Sequence, residues 1–347
     1  YSATAIANSL RTARLSTVEG LTPETSYQYR LVITDKFGNS RTIEQQQPFT
    51  WTTTAIPIIP VFINTEADTS TISPYIYGSN ANKDEAGLNI AARRLGGNRL
   101  TGYNWENNFS HAGSDYNYQS DDFLPWYLGL PRSLWLQPGI AQTAFHDTSL
   151  AQNAYTLLTL QAAGYVAADG AGTVQPSQKA PSSRWKEVRI TKNAPFSLTP
   201  DTTDNYVYMD EQVNFLVQRY GSANTQTGIK GYSVDNEPDL WLSTHGLLHP
   251  DTLTYGELFD KTIQLAQAVK NIDPNAEIFG PASYGFNGFL TLQNAPDRSN
   301  YPGTFIGAYL DTMRRAGETA GQRLLDVLDL HWYPEAYGTN DTGRSIR

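Results

Sequence analysis

Two hydrophobic periods alternate along the C-terminal two thirds of the chain. Val213, Leu216, Val217 and Tyr220 fall at helical spacing, and Gly221 stands at the stop. Gly231-Tyr232-Ser233-Val234 then reads as a short strand, closed by Pro238, which lacks the N–H a ladder needs. Thr254 and Glu257 have capping-box spacing and open a helix with Leu258, Leu265, Val269 and Ile272 on one face, ended by Asp273-Pro274. Ala276-Glu277-Ile278-Phe279-Gly280-Pro281 is a further strand. A helix around Phe305, Tyr309 and Met313 leads to another strand over 324–332. Upstream, Tyr75-Ile76-Tyr77-Gly78-Ser79-Asn80 and residues 93–99 supply the first two strands. Leu157-Leu158-Thr159-Leu160, running into Gly164-Tyr165-Val166, is the third. Strands alternating with helices argue for parallel βαβ units. The pattern predicts an α/β fold, a TIM-like (β/α)8 barrel with about six of its eight units present.

The first 54 residues follow another rule. Residues 21–32 alternate as a strand does after a turn, and Leu21-x-Pro23-x-Thr25-x-Tyr27 resembles the tyrosine corner of fibronectin type III modules. Asp35-Lys36-Phe37-Gly38-Asn39 reads as a hairpin tip and Phe49-Thr50-Trp51-Thr52-Thr53 as a closing strand. Three or four strands fit where that sandwich has seven, so earlier strands are expected upstream of Tyr1. Residues 55–60 form a stiff, Pro-punctuated linker, and Val61-Phe62-Ile63-Asn64 belongs to an accessory β-sandwich element. The expected organisation is a partial fibronectin-like module over 1–54, a linker over 55–60, and a barrel domain over 61–347 that ends after its sixth strand.

Composition narrows the function classes. A net charge of -9 with no Lys/Arg cluster argues against a nucleic-acid groove. Cysteine is absent, which removes disulfides and thiolate metal sites. No apolar run of about 18 residues exists, so no helix is expected to cross a bilayer. The chain begins at Tyr1 without a signal peptide; we expect a secreted bacterial protein whose leader is absent from this sequence, monomeric when complete. Tyr and Trp dominate the aromatic residues, which suits sugar stacking and equally an all-β surface.

Asn236-Glu237-Pro238 falls at the C-terminal tip of its strand, where βα-barrel enzymes keep their chemistry. A retaining glycosidase sets two carboxyl groups about 5–5.5 Å apart, and an inverting one about 6.5–9.5 Å. Glu237 suits the acid/base, provided that burial and a negative partner keep its proton on. Asn236 suits the sugar 2-OH. Trp105, Trp126, Trp135, Trp241 and Trp332 lie near strand ends or loops, where they either stack on glucose or pack the barrel; Trp241 and Trp332 lie nearest the tips. Arg94, Asn98 and Arg99 either bond sugar hydroxyls or the acid's partner, or form ordinary salt bridges. His245-x-x-x-His249 has the spacing of two helical ligands, but Gly246 and Pro250 spoil the helix and Gly246 stands where a zinc protease carries Glu. Asp201 and Asp204, in an oxygen-rich run, are with Glu106 a candidate structural Ca²⁺ site, or else solvated loop residues. No cofactor is otherwise required.

Residues 232–241 (Tyr-Ser-Val-Asp-Asn-Glu-Pro-Asp-Leu-Trp), followed by Ser243-Thr244-His245 and His249-Pro250, resemble glycoside hydrolase family 44. So do Ile72-Ser73-Pro74-Tyr75-Ile76-Tyr77-Gly78, Gly97-Asn98-Arg99, Asn104-Trp105-Glu106-Asn107-Asn108, residues 276–282 and Asp329-Leu330-His331-Trp332-Tyr333-Pro334-Glu335. The resemblance implies a TIM-like barrel with a β-sandwich partner, retaining endo-cleavage of β-1,4-glucans including cellulose derivatives and xyloglucan, and calcium. Glu237 matches the family's acid/base and Asn236 its companion amide, while His331 and Tyr333 match positions facing the cleft. Asn98, Arg99, Trp105, Trp241 and Trp332 join these two as expected substrate contacts. The family's nucleophile ends a seventh strand in an Ile-Thr-Glu-Tyr-like run that this sequence lacks, so it is expected beyond residue 347. Glu335 and Glu106 are weaker stand-ins, better read as a loop or subsite carboxylate and as a cleft residue or metal ligand. The alternative function is a glucan-binding protein, or an inactive fragment, without the nucleophile.

Overall fold

A computed structural model describes residues 21–29, 31–34, 37–43, 49–52, 70–80 and 88–333. The chain divides into two compact units, Tyr1–Thr71 and Ile72–Arg347. The division falls later than the expected start at residue 61; the linker and the strand at 61–64 lie outside the described residues. In the first unit, β1 (Ser26–Tyr29) pairs antiparallel with β4 (Phe49–Thr52), and β2 (Leu31–Thr34) with β3 (Ser40–Ile43). The Tyr27 hydroxyl accepts the Thr22 N–H at 2.8 Å, tying that side chain to backbone upstream.

The second unit is built on a six-stranded sheet of β5 (Gly78–Asn80), β6 (Ala92–Leu95), β9 (Tyr155–Leu160), β14 (Gly231–Val234), β15 (Glu277–Ser283) and β16 (Val327–Leu330). Every adjacent pair is parallel and every strand lies beside its predecessor, as in a half-barrel of TIM type. Parallel neighbours need crossovers. Helices α2 (Ile140–Ala151), α3 (Met209–Tyr220), α5 (Tyr255–Ile272) and α7 (Phe305–Ala320) occupy the four crossovers between β6 and β16. Between β6 and β9 the chain adds β7 (Ser110–His111), β8 (Gln119–Asp121) and the short helix α1 (Phe123–Tyr127). Between β9 and β14 come β10 (Tyr165–Ala167), β11 (Gly172–Thr173), β12 (Trp185–Arg189) and β13 (Tyr206–Tyr208). The short α4 (Trp241–Thr244) and α6 (Phe286–Thr291) follow β14 and β15.

The periodic stretches became the core. Val213 and Leu216 of α3, Leu258 and Leu265 of α5, and Phe305, Tyr309 and Met313 of α7 belong to one buried cluster with Leu158, Leu160, Tyr232 and Val234 of the sheet. Each such side chain stabilises the fold by about 1.5–3 kcal/mol. All four residues of β14 are buried, as expected of a parallel strand covered on both faces. Gly221 ends α3 with φ +85°, a conformation without steric cost only for glycine.

Three details depart from the sequence reading. The third strand stops at Leu160, and Tyr165–Ala167 instead pairs antiparallel with β12 in a separate sheet. The cause is Asp235, whose carboxylate accepts the Ala162 and Ala163 N–H groups that a longer ladder would have used. The second strand ends at Leu95, because Gly97 has φ +96° and a 3-10 turn follows over Asn98–Gly102. Only half of the capping box forms. Thr254 Oγ1 accepts the Glu257 N–H at 3.0 Å, but the Glu257 carboxylate turns to His249 Nε2 at 3.1 Å and Lys261 Nζ at 3.3 Å.

Candidate active site

The C-terminal end of β14 is held in an unusual backbone conformation. Asp235 has φ +59° and Glu237 φ +44°, left-handed values that cost a non-glycine residue roughly 1–2 kcal/mol each. Bonds to neighbouring strands hold them there. The Asp235 N–H donates to Leu160 O at 2.9 Å and the Glu237 N–H to Ala282 O at 2.9 Å, so the tip is fastened to β9 on one side and β15 on the other. The Asp235 carboxylate, fully buried, accepts Thr101 Oγ1 at 2.6 Å, Ala162 N at 2.6 Å, Ala163 N at 3.1 Å and Asn236 N at 2.8 Å. Burial pushes this carboxyl above the ordinary range, and the four bonds only partly offset it.

This frame presents two side chains in order. Asn236 is buried, and its Oδ1 accepts Arg94 Nη2 at 2.9 Å. The Glu237 carboxyl stays partly open: Oε1 lies 2.6 Å from His331 Nδ1 and accepts the Tyr333 hydroxyl at 3.2 Å. Both partners follow β16, and the His331 N–H is held by Ser283 O at 2.9 Å. Arg94 comes from β6, where burial lowers its proton affinity while Asp329 and Glu237 oppose that shift. Residues distant in the chain therefore converge on the C-terminal edge of the sheet between β6 and β16, the edge where such barrels carry active sites.

Gly96 makes room for this arrangement. A Cβ there would stand 2.3 Å from the Arg94 guanidinium. Because the clash is with the end of a flexible side chain, Gly96→Ala is expected to move Arg94 off Asn236 rather than unfold the chain. The expected result is a kcat loss of about 10–100-fold with thermal stability nearly unchanged, read by kinetics beside a melting curve. Unaltered kcat would mean that Arg94 does not position Asn236.

The other expected residues separate into open and buried. Trp332 is 66% exposed and its ring lies nearly parallel to Phe289, 6.3 Å between centroids. Tyr333 is exposed beside Tyr284 at 5.4 Å. Trp105 and Trp241 are a correction: both are 0% exposed, packed against Phe215 and His249 respectively, so neither indole face reaches a sugar. Asn98 is also committed within the protein, donating to Asp115 and accepting from His245. Arg99 pairs with Asp121, bonds Ser110 and covers the Phe123 ring, which is the salt-bridge alternative. Trp126 is 59% exposed, whereas Trp135 donates to Leu130 O under the Arg132 guanidinium. Glu335 lies outside the described residues.

The residues proposed for calcium do not fit it. Glu106 Oε2 is bonded to Lys186 Nζ at 2.8 Å, and the same ammonium lies 3.7 Å from Asp204. A dication there would meet that ammonium. Burial pushes Glu106 up to about 7, against the pull of Lys186. Asp201 spends its Oδ1 on the Thr203 N–H and hydroxyl. Among the described residues no three acidic or histidine side chains gather as a metal site. His245 and His249 likewise find separate partners, Asn98 O and the pair Asp251 O and Glu257.

Sequence reasoning missed Asp235 and Asp239 as parts of the site. The signal was present: three carboxylates within five residues, Asp235 to Asp239, on one strand tip.

The comparisons with known proteins agree with this geometry. The family model described as glycoside hydrolase family 44 matches residues 101–336. Endoglucanase A of Paenibacillus lautus is 56% identical over 280 residues, covering 80% of this chain and 40% of that protein. The solved Paenibacillus polymyxa family 44 xyloglucanase, in a complex with xyloglucan, superposes with a TM-score of 0.76 at 54% identity, over 78% of this chain and 54% of its own. The Clostridium thermocellum family 44 endoglucanase gives the same TM-score, 0.76, at 58% identity. The chain thus spans about half the length of the solved relatives it matches. The matched model, the high identities and the shared half-barrel place this chain in glycoside hydrolase family 44.

Proposed function

We propose that this chain carries the acid/base end of a retaining, endo-acting β-1,4-glucanase, with cellulose-type glucans and xyloglucan as substrates. The observation that carries the reading is the Glu237 carboxyl, partly open to solvent at a strand tip between Asn236 and the His331–Tyr333 pair. Glu237 gives its proton to the glycosidic oxygen as the C1–O bond breaks, and C1 bonds to a carboxylate nucleophile. Glu237, now ionised, takes a proton from water as that water attacks C1 and releases the carboxylate. The nucleophile is assigned to a Glu outside the described residues. Asn236, its Oδ1 fixed by Arg94, keeps its N–H₂ for the sugar 2-OH. Trp332 and Tyr333 offer the faces on which glucose rings stack. A polymer too large to enter a cell also fits an extracellular enzyme.

The full-length protein tests this. With xyloglucan and a soluble cellulose derivative, viscosity should fall faster than reducing ends appear, and proton NMR should show the β-anomer as the first product. The α-anomer first would overturn retention. Oligosaccharide binding without cleavage would favour the glucan-binding alternative.

A further inference from the structure

The tip of β15 is a bulge, and the backbones of Glu237 and His331 both hang from it. The β15–β16 register pairs Pro281 with Asp329 and Ser283 with Leu330, so Ala282 is the extra residue, with φ +55°. The bulge turns successive carbonyls to opposite neighbours. Ala282 O accepts the Glu237 N–H at 2.9 Å on the β14 side, and Ser283 O accepts the His331 N–H at 2.9 Å on the β16 side. Tyr284, next in the chain, packs on Tyr333, whose hydroxyl is bonded to Glu237 Oε1. The bonds from Glu237 to Ala282, His331 and Tyr333 thus all lead back to residues 282–284.

One side chain grips this bulge. Asp239 lies in the turn just after Glu237, and its carboxylate accepts the Tyr284 N–H at 3.0 and 3.2 Å, one oxygen each, and Ser283 Oγ at 3.2 Å. Gly288 of α6 leaves room for the grip. A Cβ there would lie 2.0 Å from Asp239 Oδ2 and 2.4 Å from Ser283 Oγ, so a side chain at 288 and this carboxylate exclude one another. We propose that Asp239 is a positioning residue, which clamps Ser283 and Tyr284 and so holds the bulge that sets Glu237 2.6 Å from His331. The claim rests on the acid/base reading of Glu237 and adds the residue that fixes the acid's geometry. Asp239 acts through its acceptor oxygens. Without them the Tyr284 N–H and the Ser283 hydroxyl lose their partner, and Ala282, left-handed without glycine's freedom, relaxes toward extended backbone. Its carbonyl then turns from the Glu237 N–H, and the acid/base drifts from the His331 ring. A displacement of about 1 Å is enough to slow catalysis.

The test sets Asp239→Ala, Asp239→Asn and Gly288→Ala side by side in the full-length protein. Asp239→Ala removes the acceptors, and Gly288→Ala drives the carboxylate off its partners while leaving residue 239 in place. Asp239→Asn keeps an oxygen for the Tyr284 N–H and an N–H₂ that donates to Ser283 Oγ. On β-glucan, kcat should fall about 10–100-fold in Asp239→Ala and Gly288→Ala with KM little changed, and Asp239→Asn should restore most of the loss. The burst on a glycoside of an acidic phenol, whose leaving group needs little protonation, should be nearly spared. Equal slowing of the burst and of kcat on the polymer, or an Asn variant as slow as Ala, overturns the proposal. Crystal structures of the variants need no substrate. Asp239→Ala and Gly288→Ala should carry Glu237 Oε1 beyond hydrogen-bond reach of His331 Nδ1, more than about 3.2 Å. A contact kept at its wild-type length overturns the positioning, whether or not the glucanase reading stands. A broken contact with wild-type kcat overturns it too, unless Glu237→Gln is equally active; then the acid/base reading falls and the clamp stands.

Discussion

Replacing Glu237 by Gln is expected to reduce kcat on β-glucan about 10²–10⁴-fold. The amide matches the carboxyl in shape and can keep the contacts with His331 and Tyr333, which sit at 2.6 and 3.2 Å. What it lacks is a transferable proton. The loss should depend on the leaving group. A glycoside of an acidic phenol needs little protonation, so its first step should be nearly spared while its second step, which needs the base, slows. Burst kinetics on such a glycoside, set beside kcat on the polymer, separate the two steps. A Gln variant within tenfold of wild type on the polymer would remove Glu237 from the mechanism.

The largest expected effect on stability is at Asp235. Asp235→Ala strands four donors, Thr101 Oγ1 and the N–H groups of Ala162, Ala163 and Asn236, in a place water does not reach. Each unsatisfied buried donor costs about 1–3 kcal/mol, and neighbouring losses are not additive. A total of roughly 3–5 kcal/mol is expected, in the range of severe single substitutions. Urea denaturation should show the midpoint falling with little change in slope. Asp235→Asn keeps one acceptor oxygen but turns an N–H₂ toward N–H donors, so it should fall between Ala and wild type. The same variants should lose activity out of proportion to their stability, since the bonds to Ala162 and Ala163 also fix where Glu237 points. Stability within about 1 kcal/mol of wild type would show that other contacts hold the two left-handed residues.

What could be read from the sequence was whatever depends on neighbours along the chain. Apolar spacing gave α3, α5 and α7 and the strands between them, because a helix or strand face is a local repeat of 3.6 or 2 residues. Asn236-Glu237-Pro238 was legible for a similar reason, since a proline after a short apolar strand marks its tip. Burial of single aromatic side chains was not. Trp241 and Trp332 both follow the C-terminal tip of a strand, yet one is sealed beside His249 and the other stands open by Phe289. Which indole faces water depends on how loops fold over one another, and nothing in the local pattern encodes that. Glu106 read as a cleft residue or a metal ligand until Lys186, 80 residues away, took its carboxylate. The site itself is the extreme case. Arg94 reaches Asn236 across 142 residues, and His331 reaches Glu237 across 94. Sequence by itself determined the half-barrel and one acidic residue at its rim. Only the tertiary structure decided what surrounds that residue, because parallel strands align their tips side by side however far apart they lie in the chain.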